Sequence, residues 1–214
     1  MTSVPATKFG LALHTTTPQL GLGIIDLATA DETIQAWDLG RALTAELQVY
    51  LRDFVSPRKW QNMAFMAVAK GPGGFTGTRV GVVTARTLAQ QLDVPLYGIS
   101  TLAAIAWHQG QGFIGQTIAV SLPARRGEVF GGIYRLTSAG VVVVVEDQLF
   151  LPETWETLIK TEGAILGRSP DQLGETVNSV LELAYLQWQQ NPVAPWGKVV
   201  PFYGQHPVHK TPAQ

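Results

Sequence analysis

The chain has 214 residues, 46% of them hydrophobic and 14% charged, with a net charge of -1. That apolar share supports a packed core and argues against disorder, and the near-neutral charge argues against a free-standing nucleic-acid binder with a basic face. The absence of cysteine excludes disulfides, thiolate metal sites and thiol nucleophiles.

Residues 1–8 carry no long apolar run, so a secretory leader is not expected. The longest apolar stretch, 63–69, is too short to cross a bilayer. The expectation is a soluble cytoplasmic protein with no membrane contact.

Residues 9–13 and 20–27 have the composition of two strands around a polar turn, Thr15-Thr16-Thr17-Pro18-Gln19, and 33–37 of a third. The period then changes. Leu39, Leu43, Leu47, Tyr50 or Leu51 and Phe54 form a helical stripe, with Asp38 as its expected N-cap and Pro57 just past its end. Residues 63–69 form a buried strand that runs into a sharp glycine loop. A helix over 76–92, a strand over 95–99 and a helix over 101–108 follow. The second half begins the same way, with strands over 117–122, 128–136 and 141–149. A helix over 152–159, a short strand over 164–166 and a longer helix over 175–189 come next. Residues 199–203 are expected to add a last strand, and 206–214 to be loose. Gly110-Gln111-Gly112 is the expected hinge between lobes 1–110 and 111–214. Two successive βββαβα units predict a duplicated α/β architecture, with helices covering a mixed sheet in each lobe. Trp155, Trp188 and Trp196 fall in the second lobe, where Leu181, Tyr185 and Trp188 have core spacing.

The segment Lys70-Gly71-Pro72-Gly73-Gly74-Phe75-Thr76-Gly77-Thr78-Arg79-Val80-Gly81 follows a buried strand and opens a helix. Such a junction presents free N–H groups and the positive end of the helix dipole to an anion. Gly71, Gly73, Gly74, Phe75, Thr76, Gly77 and Arg79 are its candidate residues. The plainer alternative is a tight turn that needs glycine backbone angles. It is not a Walker loop, lacking Gly-Lys-Ser/Thr, and Thr76 breaks the dinucleotide fingerprint. In the helix behind it, Gly77, Gly81, Ala85 and Ala89 recur every four residues. Two helical glycines cost about 1 kcal/mol each relative to alanine, so a close approach should offset them. The neighbour is either the lobe's own sheet or another subunit. In the second case the helix bearing Leu43 and Leu47 lies beside the strip.

Gly-Pro-Gly-Gly-Phe-Thr-Gly-Thr-Arg-Val-Gly at 71–81 resembles the Gly-Pro-Gly-Ser-Phe-Thr-Gly-(Leu/Val)-Arg-(Ile/Val)-Gly signature of the TsaB (YeaZ) family, with Gly74 and Thr78 as departures. Pro95-Leu96-Tyr97-Gly98-Ile99-Ser100-Thr101-Leu102 and Ala124-Arg125-Arg126-Gly127-Glu128-Val129-Phe130 continue the resemblance in register. Beyond Tyr134 it rests on Val200-Pro201-Phe202-Tyr203. The resemblance implies an actin-like (ASKHA) fold of two RNase-H-like lobes. It also implies an inert relative of TsaD that dimerises with it and supports N6-threonylcarbamoylation of adenosine 37 in tRNA, with TsaE joining through the TsaD complex. A homodimer of the isolated protein is implied too, through the two first-lobe helices. That places Leu43, Leu47, Gly77, Gly81, Ala85 and Ala89 at the partner interface. No cofactor of its own is implied; ATP or ADP would sit at a boundary shared with TsaD, and tRNA would be met only indirectly.

The family's first strand ends in Asp, and this chain has His14 there. A neutral imidazole supplies no hard anionic oxygen to Mg²⁺. His14 is expected to be hydrogen-bonded in the turn. Gly40-Arg41-Ala42 replaces the family's His-Ser before the leucine stripe. The four histidines, at 14, 108, 206 and 209, are scattered, and no metal site is expected. Arg125, Arg126 and Glu128 are candidates for a polar cleft site, or else form a solvated hairpin tip. The competing function is a stand-alone actin-like ATPase or small-molecule kinase that uses the glycine loop for phosphates. A hydrolase has little support, since no Gly-x-Ser-x-Gly elbow is present.

Overall fold

The computed structural model describes residues 7–56, 58–110, 112–170 and 172–204. The first sheet contains β1 (Phe9–His14), β2 (Gln19–Asp26), β3 (Glu32–Asp38), β4 (Met63–Ala69) and β5 (Leu96–Ile99), in the order β3-β2-β1-β4-β5. The second contains β6 (Thr117–Pro123), β7 (Val129–Thr137), β8 (Gly140–Phe150) and β9 (Ile165–Leu166), in the order β8-β7-β6-β9. In both sheets the first three strands pair antiparallel and the fourth joins the first in parallel. The same order and pairing recur in both sheets, which is the repeated mixed-sheet arrangement that the duplicated α/β expectation requires.

Side-chain alternation decides how the first sheet is covered. Leu11, Leu13, Met66 and Val68 face one way and join α1 (Leu43–Val55) and α2 (Phe75–Leu92) in one core cluster. Trp37 on β3 lies 5.1 Å from the Tyr50 ring and 6.1 Å from that of Phe54, which fixes α1 over the sheet edge. Ala12, Phe65, Ala67 and Ala69 face the other way, into a cluster that also holds Ile118, Val120, Tyr134 and Leu136 of the second sheet. Both faces of β1 and β4 are therefore buried, which explains their unbroken apolar runs.

Two helices lie between the sheets. α3 (Thr101–Gln109) packs on β6, β7 and β8, whereas α5 (Val177–Gln190) packs on β1, β2, β4 and β5. Each sheet is thus covered by a helix encoded in the other half of the chain. α4 (Pro152–Thr161) covers the outer face of the second sheet, where Trp155 is buried beside Ile133. Trp188 and Tyr185 stack near Phe65, at 5.6 and 6.4 Å, as core side chains. Among the described residues no helix is long and apolar enough to cross a membrane.

Four expectations need correction. Asp38 does not cap α1; it ends β3, and a 3-10 turn, Gly40–Ala42, intervenes because Gly40 at φ +54° breaks the helical path. Residues 199–203 form no strand. They make one strand-like bond, Phe202 N–H to Lys70 O at 2.7 Å, and Pro201 has no N–H to extend it. α5 begins at Val177, after a 3-10 turn over Leu173–Thr176. Of the expected hinge, Gly110 is buried and packed, since a Cβ there would meet Leu136 Cδ1 at 1.8 Å, whereas Gly112, at φ +97°, is exposed with nothing near its Cβ position. Gln111 and the expected loose segment 206–214 lie outside the described residues.

Candidate functional site

The glycine loop leaves β4 at Lys70 and wraps the turn between β1 and β2. Gly71 has φ +103°, a left-handed conformation that favours glycine. The Gly74 N–H donates to Thr16 O at 2.6 Å, and the Thr101 N–H donates to Gly71 O at 2.9 Å. The helix then presses on the same turn. A Cβ on Gly77 would lie 2.2 Å from Thr15 O, and one on Gly81 2.0 Å from Thr15 Oγ1. Thr15 Oγ1 donates to Gly77 O at 2.9 Å across this contact.

The small-residue strip therefore faces this protein's own interior. Gly81, Ala85 and Ala89 are buried, and Gly77 is covered by Thr15. Leu43 and Leu47 are core side chains as well. The expected interface set, Leu43, Leu47, Gly77, Gly81, Ala85 and Ala89, is thus corrected: these residues hold α1 and α2 on the first lobe. Four-residue spacing defines one face of a helix but not what that face meets.

The opposite faces of the two helices are open. On α2 these are Thr76, Arg79, Val83 and Thr87; on α1 they are Thr44, Ala45, Gln48 and Val49. Val83 is 59% and Val49 43% exposed. Gln48 Nε2 donates to Thr84 Oγ1 at 3.3 Å, tying the helices side by side. The sequence held one signal for this face: Val83, an apolar β-branched residue two positions beyond Gly81 and so across the helix from it.

Between the lobes lies a cleft of about 1420 Å³. Gly73, Gly74, Phe75, Thr76 and Arg79 line one side, and Arg125, Arg126 and Glu128 line the other. Two distant sequence candidates thus meet in one site. Gly71 and Gly77 are not part of its lining: Gly71 lies under Phe202 and Gly77 under Thr15. No side chain caps the start of α2, so its first N–H groups and dipole favour an anion there. The Arg79 guanidinium carbon sits 4.9 Å from the Phe75 ring centre. Arg126 adopts φ +62° in the turn that carries it into the cleft.

Sequence reasoning missed the far wall. Phe202 and Tyr203 lie along the cleft, with Phe202 6.0 Å from Phe130 and Tyr203 6.1 Å from Phe75. The Val-Pro-Phe-Tyr stretch was visible, but nothing in a non-periodic segment says that it crosses back onto the glycine loop.

His14 is fully buried, and neither ring nitrogen has a hydrogen-bond partner among the described residues. The expected hydrogen bond in the turn is not formed. Burial drives the imidazole pKa down to about 3, so the ring is neutral at physiological pH. Among the described residues no three His, Cys, Asp or Glu side chains group closely enough to hold a metal ion.

The family model for tRNA N6-adenosine threonylcarbamoyltransferase, TsaD, matches residues 57–192. The tRNA threonylcarbamoyladenosine biosynthesis protein TsaB of Bacillus subtilis is 39% identical over 100 residues, covering 47% of this chain and 43% of that protein. The chain thus spans less than half the length of the first curated relatives it matches. YeaZ from Pseudomonas aeruginosa superposes with a TM-score of 0.73 at 20% identity, over 92% of this chain and 99% of that one. A second Pseudomonas aeruginosa structure, of a protein described as similar to peptidase YEAZ, gives 0.76 at 21% identity over 92% and 100%. These two likenesses concern the fold. The family match covers more than half of the chain and establishes that the chain belongs to the tRNA N6-adenosine threonylcarbamoyltransferase (TsaD) family.

Proposed function

We propose that this protein is the non-catalytic dimerisation subunit of the complex that makes N6-threonylcarbamoyladenosine at position 37 of tRNA, binding TsaD and supporting it. The observation that carries the reading is the open face of α1 and α2. It is a two-helix surface backed by the first sheet, with exposed Val49 and Val83 among Thr44, Ala45, Gln48, Arg79 and Thr87. Such a face suits antiparallel or crossed helix packing against a similar pair. The same surface would form the homodimer of the isolated protein, so TsaD and a second copy compete for it. TsaE joins through TsaD. A net charge of -1 leaves tRNA contact to the partner, and the setting is the cytoplasm.

The cleft fits a subordinate role. Its helix start, Arg79, Arg125 and Arg126 suit the phosphates of ATP or ADP, held at a boundary shared with TsaD. The neutral, buried His14 offers no anionic oxygen where the metal-positioning Asp would stand. That favours support over phosphoryl transfer.

Size-exclusion chromatography with the TsaD counterpart tests this. A complex is expected for the unmodified chain and its loss for Val83→Arg, with circular dichroism unchanged. Indifference to TsaD, together with ATP turnover by the lone chain, would support the stand-alone ATPase or kinase instead. Gly81→Arg is a poor probe, since its side chain would collide with Thr15 inside the lobe.

A further inference from the structure

A polar cluster lies away from both the helical face and the cleft lining. Ser100, the first residue after β5, caps α3 by accepting from the Ala103 N–H at 3.2 Å. Its hydroxyl also donates to Asp147 Oδ2 at 2.5 Å. The Tyr134 hydroxyl donates to the other oxygen, Asp147 Oδ1, and stands 3.2 Å from Ser100 Oγ. Asp147 belongs to β8 and Tyr134 to β7, both in the second sheet, whereas Ser100 stands at the exit of the first.

The strands are shaped for this contact. The β7–β8 register shifts twice, between Gly131 and Ile133 and again between Ile133 and Tyr134. Such irregularities re-aim side chains. A Cβ on Gly132 would lie 2.6 Å from Asp147 Oδ1 and 2.7 Å from the Tyr134 hydroxyl oxygen, so glycine there makes room for the carboxylate. Burial raises the Asp147 pKa, and the Ser100 and Tyr134 hydroxyls and the Lys70 ammonium oppose that rise; Glu146 adds to it. Lys70 begins the glycine loop. Its N–H donates to Ile99 O at 2.8 Å, beside the bond from Thr101 N–H to Gly71 O.

We propose that Asp147 is an inter-lobe clasp: with Tyr134 it grips Ser100 at the base of the glycine loop and thereby sets the separation of the two cleft walls. One wall, Gly73 to Arg79, is carried by the first sheet, and the other, Arg125 to Glu128, by the β6–β7 turn. Whatever the cleft holds, its width depends on this grip. Partner binding through α1 and α2 does not use it, so the inference stands apart from the proposed function.

The cysteine-free chain suits spin labelling. Gln90→Cys on α2 and Glu156→Cys on α4 place labels on exposed sites of opposite lobes, clear of cleft and clasp. With the labelled chain diluted into a large excess of unlabelled chain, so that a homodimer adds no second distance, pulsed electron resonance should give one narrow distance peak for the labelled parent. Ser100→Ala removes the hydroxyl that crosses to the second sheet, and Asp147→Ala removes the carboxylate that receives it. Both are expected to broaden the peak and shift it to longer distance. A peak unchanged in a folded Ser100→Ala variant would overturn the clasp, and so would a broad peak in the parent. If Asp147→Ala fails to fold, Ser100→Ala alone decides.

Discussion

At the scale of single residues, buried His14 and partly buried Asp147 are titratable groups whose surroundings act in opposite senses on acid stability. His14 in the folded chain binds a proton only near pH 3, against an ordinary value of 6.5. The unfolded chain therefore takes up that proton first as the pH falls. Stability contributed by neutral His14 is complete above pH 6.5 and is lost towards pH 3, at up to about 1.4 kcal/mol per pH unit. Asp147 has the opposite sign: its raised pKa means that the folded state gains its proton first, which adds stability on acidification. Urea unfolding of the parent and of His14→Leu at pH 7 and pH 4.5 separates the two. The variant is expected to lose much less stability over that interval, and equal losses would mean that His14 does not titrate on unfolding. The sequence marked His14 as a departure from its family's aspartate. It did not show that the side chain is sealed, because the seal comes from segments far away in the chain.

At the scale of elements, the strands and helices were largely legible. Near-continuous apolar runs at 9–13 and 63–69, short and bounded by turn residues, read as buried strands. The glycine strip on α2 was legible as a contact but not as an inward one. Gly81→Ala tests that assignment. In an exposed helix the change would add about 1 kcal/mol of stability. Here the new methyl would stand 2.0 Å from Thr15 Oγ1, so overpacking dominates and a net loss of about 1–3 kcal/mol is expected. Val83→Ala, on the exposed face, should change stability by no more than about 0.5 kcal/mol while weakening partner binding. Denaturation midpoints at constant slope measure both. A neutral or stabilising Gly81→Ala would mean that the strip is not packed against the β1–β2 turn.

At the scale of the molecule, the division at residue 110 marks a change of sheet and not a change of core. One cluster runs from Phe65 and Ala67 through α3 and α5 to Ile118 and Tyr134. Helical periodicity could show that 175–189 is buried, but it carries no address, and so the exchange of α3 and α5 between sheets could not be read from it. The exchange has a consequence for cooperativity. A chain cut to 1–110 lacks α5, and with it the cover that Val177, Val180 and Leu181, each fully buried, give the first sheet. Each such side chain contributes about 1.5–3 kcal/mol on burial, comparable in sum with the roughly 5–15 kcal/mol that holds a whole domain. The 111–214 piece fares no better, with α5 stripped of its sheet and the second sheet stripped of α3. Neither fragment should show a cooperative transition, and the two co-expressed should assemble. In the intact chain, tryptophan fluorescence and far-ultraviolet circular dichroism should report one coincident unfolding transition. A fragment 1–110 that melts cooperatively by itself would mean that the first lobe carries its own core and that α5 only rests on it.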